Sequence, residues 1–259
     1  VYIYVTALTQ LITGPTMASV RIPSAIAGVL AVNLTYRLVI LLKLGSSVAL
    51  FSALLLAVSP WHIHISRGGY EANVALTLGL GSVVLLFSRR FALSALLLAL
   101  SAYTYYTTKM FAPILLLFAW VYMIDWSKYK NSIKPFVKYW LLSLFFVIPI
   151  IYLALFKGGQ IRFQSINIFV DKTVTPRVER ARNFFDNPES LGAKLSENRF
   201  TYHLSDFVMY YLENFSGQFL FVGGDSNVRY GLAGHGMLYL LDAPLILMGL
   251  ILLYHKNRR

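Results

Sequence analysis

Residues 54–73 read LLLAVSPWHIHISRGGYEAN. An apolar run stops at Ser59-Pro60, a stretch of aromatic, histidine and arginine residues follows, and a carboxylate, Glu71, opens a new apolar run at Ala72. Proline disfavours helical geometry at the residue before it, so Ser59-Pro60 ends one helix. The residues from Ser59 to Asn73 then read as a loop at the edge of an apolar bundle. Working outward, the same alternation of long apolar run and short polar turn repeats. Stretches 23–43 and 45–60 lie upstream; 72–88, 91–108, 110–125, 139–156 and 237–254 lie downstream. A helix needs about 20 residues to cross a bilayer's hydrocarbon. The pattern therefore predicts an all-α fold, a polytopic transmembrane helical bundle of about seven spans. Leu44-Gly45 and Ser88-Arg89-Arg90 turn antiparallel hairpins.

Composition agrees. The chain is 57% apolar and only 13% charged, with mean hydropathy +0.62, against about 45–50% and about 25% for a soluble domain. Too little polar surface is left to cover a water-facing globule, which excludes an ordinary soluble enzyme and a disordered tail. The absence of cysteine removes disulfides, thiolate metal sites and cysteine nucleophiles.

The net charge of +12 is explained by where it lies. One alternating set of helix ends carries Arg37, Lys43, Arg89, Arg90, Lys128, Lys130, Lys134, Lys138, Lys256, Arg258 and Arg259. The opposite short ends carry only Arg21, Arg67 and Lys109. By the positive-inside rule the first set faces the cytoplasm. The basic excess is a topology signal, and nucleic acid is not expected as a partner.

Residues 1–156 are expected to form a transmembrane region of six spans. Its opening helix, 1–13, is too short to cross, precedes Gly14-Pro15 and lies on the outer surface. Residues 157–236 form one long extracytoplasmic segment. Residues 237–259 supply the last span and a basic cytoplasmic tail. Up to residue 235 that segment holds nine basic and eight acidic residues, the balance of a folded polar region. Asp186-Asn187-Pro188-Glu189 reads as a turn and helix start, and the aromatic-rich 207–221 as a helix lying at the interface. The chain starts at Val1 with no signal peptide in view and is read as a piece of a longer protein.

The acids single out Glu71, since no other precedes Asp125. A carboxylate at the membrane edge is costly to bury and tends to have a partner or a task. Arg67, four residues earlier, could pair with it if the turn is helical. As an alternative, Glu71 only caps the following helix, where a carboxylate suits the positive end of the dipole. His62 and His64, two apart, lack the spacing of helical metal ligands. A second turn, Tyr103-Thr104-Tyr105-Tyr106-Thr107-Thr108-Lys109, offers a cation that either snorkels or, with Arg67, binds a phosphate from the outer leaflet. A third, Asp225 to Gly236, places Arg229 and His235 among glycines. It reads equally as a loop folded over a site and as a plain re-entry turn.

These residues resemble a known family. LLLAVSPWHIHISRGGYEAN is similar to the second outer loop of the glycosyltransferase C superfamily, and Tyr70-Glu71-Ala72-Asn73 looks like a variant of the Tyr-Asp-Asn-Glu run of oligosaccharyltransferase catalytic subunits. GPTMASVRIPSAIAGVLAVNLTYRL and GMLYLLDAPLILMGLILL resemble segments of bacterial relatives of protein O-mannosyltransferases and aminoarabinose transferases, glycosyltransferase family 39-like proteins. The resemblance implies an integral cell-membrane enzyme with its active face extracytoplasmic. It would move a sugar from a polyprenyl-phosphate donor to a glycan, lipid or protein acceptor.

Such chemistry needs a carboxylate to activate the acceptor hydroxyl and cations or a metal to stabilise the leaving phosphate. The resemblance puts the principal acid in a loop upstream of Val1 and leaves Glu71 as an auxiliary catalytic acid. It makes Arg67, Lys109 and Arg229 candidates for the donor phosphate. His62, His64, Tyr70, Tyr105 and His235 would line the site. No cofactor is fixed; a divalent cation is compatible, although Asn73 stands where relatives carry a second acid. The alternative function is a non-enzymatic transporter or flippase for lipid-linked sugars, which would place ionisable groups near mid-span.

Overall fold

The computed structural model describes residues 1–123, 129–156, 173–225, 227, 231 and 234–256. Among them every regular element is helical, as the apolar periodicity predicts. The helices are α1 (Tyr2–Thr13), α2 (Met17–Leu41), α3 (Ser46–Val58), α4 (Pro60–Arg67), α5 (Glu71–Phe87), α6 (Phe91–Thr104), α7 (Tyr106–Met123) and α8 (Tyr129–Phe156). Then come α9 (Val174–Arg182), α10 (Leu191–Ser196), α11 (Arg199–Glu213), a π-helical turn (Gln218–Val222) and α12 (Asp242–Lys256). Helices α2, α5 and α6 form the centre: α5 packs on α2 and α6, α3 on α2, α8 on α6, and α1 on the start of α2.

The bundle is built from small residues. Ser24, Ala27, Gly28 and Ala31 of α2 are buried, as are Asn73, Ala75, Thr77, Gly79, Gly81 and Ser82 of α5 and Ser94, Ala95, Ala99, Ser101 and Ala102 of α6. Hydroxyls stitch the helices together. Ser82 Oγ donates to the Ser94 carbonyl at 2.8 Å and Ser94 Oγ to the Ser82 carbonyl at 2.7 Å, while Thr77 Oγ1 reaches the Ala27 carbonyl at 3.0 Å. Large apolar side chains point outward instead: Val29, Leu50, Phe51, Leu117 and Phe145 are each more than 60% exposed. Small residues and hydroxyls inside with a greasy exterior is the arrangement that packs helices in lipid, where no hydrophobic force separates core from surface.

Span length departs from the expectation. Helix α2, with 25 residues and mean hydropathy 1.7, is long and apolar enough to cross by itself. Helices α3 and α4 qualify only together, bent by 58°. Helices α5 and α6, at 17 and 14 residues, rise about 25 and about 21 Å, short of a core of about 30 Å. By length and composition, one helix among the described residues is long and apolar enough to cross a membrane, or two spans if the bent pair counts as one. Two of the expected boundaries move. The stretch 45–60 stops at Val58, because Ser59 before Pro60 is extended (φ −62°, ψ 130°), and residues read as loop become α4. The stretch 91–108 breaks at Tyr105 (φ −138°, ψ 144°), where α7 takes over.

Both hairpin turns form where expected, each through a residue with positive φ. Lys43 has φ 58° and Arg89 φ 59°. Lys43 N donates to the Ile40 carbonyl at 2.9 Å and Leu44 N to the Val39 carbonyl at 3.4 Å. Arg89 N and Arg90 N bond Leu86 and Leu85 in the same way, at 2.9 and 2.8 Å. These are Schellman closures with a side chain where glycine is usual. Lys43→Gly is therefore expected to be neutral or to stabilise by about 1 kcal/mol, and Lys43→Val to destabilise by a similar amount or more. Thermal midpoints in detergent measure both; equal midpoints for the two variants would contradict the assignment.

Helix α1 ends at Gly14 (φ 78°), as Gly14-Pro15 predicted, and lies against α2. Pro23 inside α2 has no N–H, which frees the Ser19 carbonyl, and Thr9 Oγ1 of α1 donates to that carbonyl at 2.7 Å. In the later segment the 186–189 turn forms, with Asn187 Oδ1 accepting from Glu189 N at 3.0 Å, and α10 follows at Leu191. Arg177 on α9 holds Asp206 on α11 through two bonds of 2.7 and 3.0 Å. The expected helix 207–221 is split. Phe207, Tyr211 and Phe215 stack along α11 and its end, and the chain turns before Gln218.

Candidate functional site

One end of the bundle is assembled from three turns. The first is the α4–α5 connection. Gly68 ends α4, and Gly69 takes φ 73°, which redirects the chain so that Tyr70 is extended and Glu71 opens α5. Arg67 and Glu71 are both exposed and make no ion pair. The pairing expected from their four-residue spacing requires one continuous helix, and the Gly68-Gly69 turn interrupts it.

The second part is α1 with the start of α2. A Cβ on Gly69 would sit 3.3 Å from the Tyr2 hydroxyl and 3.5 Å from Cγ of Arg21, so this backbone approach needs glycine. Tyr2 donates to the Val20 carbonyl at 2.7 Å. Burial pushes its phenol above the usual tyrosine range, and the nearby Glu71 carboxylate adds to that. Tyr2 and Arg21 are thus neighbours of the Glu71 turn. Sequence reasoning assigned neither to the site, although Tyr2, Thr6, Thr9 and Thr13 form a helically spaced polar stripe on an otherwise apolar helix.

The third part is the α6–α7 break. Ser101 Oγ donates to the Ala75 carbonyl at 2.7 Å, and Thr108 Oγ1 donates to the Ser101 carbonyl at 2.7 Å. These two bonds put the start of α7, and with it Lys109, at the end of the bundle where α5 begins. Lys109 Nζ lies 5.3 Å from the centre of the Tyr106 ring, and Tyr105 is half-buried beside it.

Beneath the surface, Asn73 clamps the three helices of the first turn. It is fully buried, and its Nδ2 donates to the Ser24 carbonyl (2.8 Å), Ser24 Oγ (3.2 Å) and Ser66 Oγ (3.2 Å). Ser24 Oγ in turn donates to the Ile65 carbonyl at the end of α4 (3.0 Å). The Asn73 NH2 group is committed to this clamp, while its Oδ1 is buried with no hydrogen-bond partner among the described residues.

The two histidines of α4 take different places. His62 is buried, edge-on to Trp61, whereas His64 leans on the Tyr70 ring at 5.9 Å. Two residues apart on a helix they face opposite ways. Among the described residues no three His, Asp or Glu side chains converge as a metal site. His235 is exposed, on a segment whose Leu238 N donates to the Leu220 carbonyl at 2.8 Å. Arg229 lies outside the described residues, as do Asp125, Lys128, Arg258 and Arg259.

Comparison with known families adds one finding. The model of the family described as dolichyl-phosphate-mannose-protein mannosyltransferase matches residues 1–153, more than half of the chain and all three turns. No curated protein and no solved structure matches.

Proposed function

The chain belongs to the dolichyl-phosphate-mannose-protein mannosyltransferase family, membrane glycosyltransferases of the glycosyltransferase C type, and from that premise we propose how this member works. It is a multi-pass protein of the cell membrane, with spans within residues 1–156 and 237–259, helix 1–13 on the outer surface, 157–236 outside and the basic C-terminal tail in the cytoplasm. It transfers a sugar from a polyprenyl-phosphate donor to an extracytoplasmic glycan, lipid or protein. The observation that carries this reading is the placing of Arg21, Arg67, Lys109 and Glu71 at one end of a bundle whose buried polar groups in α2, α5 and α6 are uncharged, opposite Arg37, Lys43, Arg89 and Arg90.

Cations beside phosphate oxygens stabilise the charge that grows on the lipid phosphate as the glycosidic bond breaks. In this role Arg67 and Lys109 hold the phosphate, with Arg229 reaching in from the long segment. Glu71 is the auxiliary carboxylate that orients the acceptor hydroxyl. Tyr70 and Tyr105, with His62, His64 and His235, shape the surroundings. Transport is disfavoured because the buried polar groups described in α2, α5 and α6 are all uncharged.

Two measurements test the proposal. Lys109→Met is expected to raise KM for the lipid-phosphate donor and to lower kcat, about tenfold each, because the contact it removes strengthens as charge grows on the leaving phosphate. An unchanged donor KM would remove Lys109 from the site. Because the chain has no cysteine, single cysteines report sidedness. A charged thiol reagent outside intact cells should label Thr107→Cys and not Ser46→Cys, and the opposite pattern would reverse the orientation.

A further inference from the structure

At the other end of the bundle, the ends of α2 and α5 and the residue before α6 enclose a cavity of about 450 Å³. Its lining is part apolar, from Ile40, Leu41, Val84 and Leu85, and part polar, from Tyr36, Arg37, Ser88 and Arg90. Among the described residues neither arginine is in an ion pair and no carboxylate lines the cavity. Upstream of Asp125 the one acid is Glu71, at the opposite end of α5.

Two helix C-termini would ordinarily make such a place negative. Here the Schellman bonds of Lys43, Leu44, Arg89 and Arg90 occupy the carbonyls of Val39, Ile40, Leu85 and Leu86. Ser88 Oγ spends its proton on the Val84 carbonyl at 2.8 Å, leaving the two guanidinium groups and the Tyr36 hydroxyl as donors.

We propose that this cavity binds one anionic phospholipid. The phosphodiester sits between Arg37 and Arg90, with Tyr36 donating a further hydrogen bond. The first part of an acyl chain covers Ile40, Leu41, Val84 and Leu85. Two cations facing one phosphate, with no acid among the described lining residues to receive an ammonium group, select an anionic headgroup over a zwitterionic one. The site lies at the end opposite the sugar-transfer residues, in the leaflet that the charge asymmetry makes cytoplasmic. It depends on the membrane topology proposed above and not on the transfer chemistry.

Native mass spectrometry of the full-length protein in detergent, with phosphatidylglycerol and phosphatidylcholine in equal amounts, tests the proposal. The wild type is expected to retain one phosphatidylglycerol with at least tenfold preference. Each basic group at an anionic headgroup contributes about fivefold, so the double variant Arg37→Gln/Arg90→Gln should lose most of that preference. Lys43→Gln/Arg89→Gln removes the same charge from the same end but outside the cavity, and should keep it. No preference in the wild type, or equal loss in both double variants, overturns the site. Sugar transfer assayed on the same proteins reports the outer end separately, so failure of one reading is distinguishable from failure of the other.

Discussion

Glu71→Gln is expected to lower sugar transfer by about a hundredfold or more, with membrane insertion and thermal midpoint close to those of the wild type. The substitution keeps the size of the side chain and removes its charge. Glu71 is exposed, in the first turn of α5, and makes no ion pair among the described residues, so the described fold loses at most the interaction of one carboxylate with a helix N-terminus. That interaction is worth about 0.3–1 kcal/mol at a surface site, which a thermal melt in detergent detects as a small shift. If capping is the whole role of Glu71, that small shift appears while kcat/KM is untouched. If Glu71 orients the acceptor hydroxyl, kcat/KM falls steeply while the midpoint barely moves. Transfer at the wild-type rate would end its assignment to the site.

Gly28→Ala should destabilise the protein by about 1–3 kcal/mol and reduce transfer with it. A Cβ on Gly28 would collide with Oγ of Ser66 and lie 2.8 Å from its Cβ. Neither neighbour can retreat freely. Gly28 is in the middle of α2, and Ser66 is next to Arg67 in the last turn of α4 and bonded to Asn73. The added methyl therefore pushes α4 off α2, moving Arg67 and straining the clamp from Asn73 to Ser24 and Ser66. Ser66→Gly opens the space again, and the double variant should recover much of the lost midpoint, less the cost of a glycine in a helix and of one hydrogen bond to Asn73. An unchanged midpoint in Gly28→Ala alone would mean that α2 and α4 are not packed in this way.

The all-α architecture and most helix ends were legible in the sequence because the signals that set them act locally. Apolar runs, Gly14-Pro15, Ser59-Pro60 and the turns at Leu44-Gly45 and Ser88-Arg89-Arg90 each bias the backbone of adjacent residues, and each ends a helix at or next to the expected place. The separation of basic residues between the two ends is likewise a count along the chain. The outer candidates Arg67, Glu71 and Lys109 were legible for the same reason, as rare charges at the edges of apolar runs.

What those residues touch was not legible. A spacing of four suggested that Arg67 meets Glu71, but the sign of φ at Gly69 decided that they part. Asn73 looked like a replaced acid, yet its side chain is a clamp because Ser24, 49 residues away, and Ser66 lie against it. Tyr2 joined the Glu71 turn through the docking of α1 on α2, to which Thr9 and the Ser19 carbonyl freed by Pro23 contribute, and Arg21 through the packing of α2 against Gly69. The sequence by itself determined which segments are helices and which of their ends carry charge, because backbone preference and hydropathy belong to neighbouring residues. The tertiary structure alone decided which polar groups face one another, because hydrogen bonds and close packing join residues far apart in the chain.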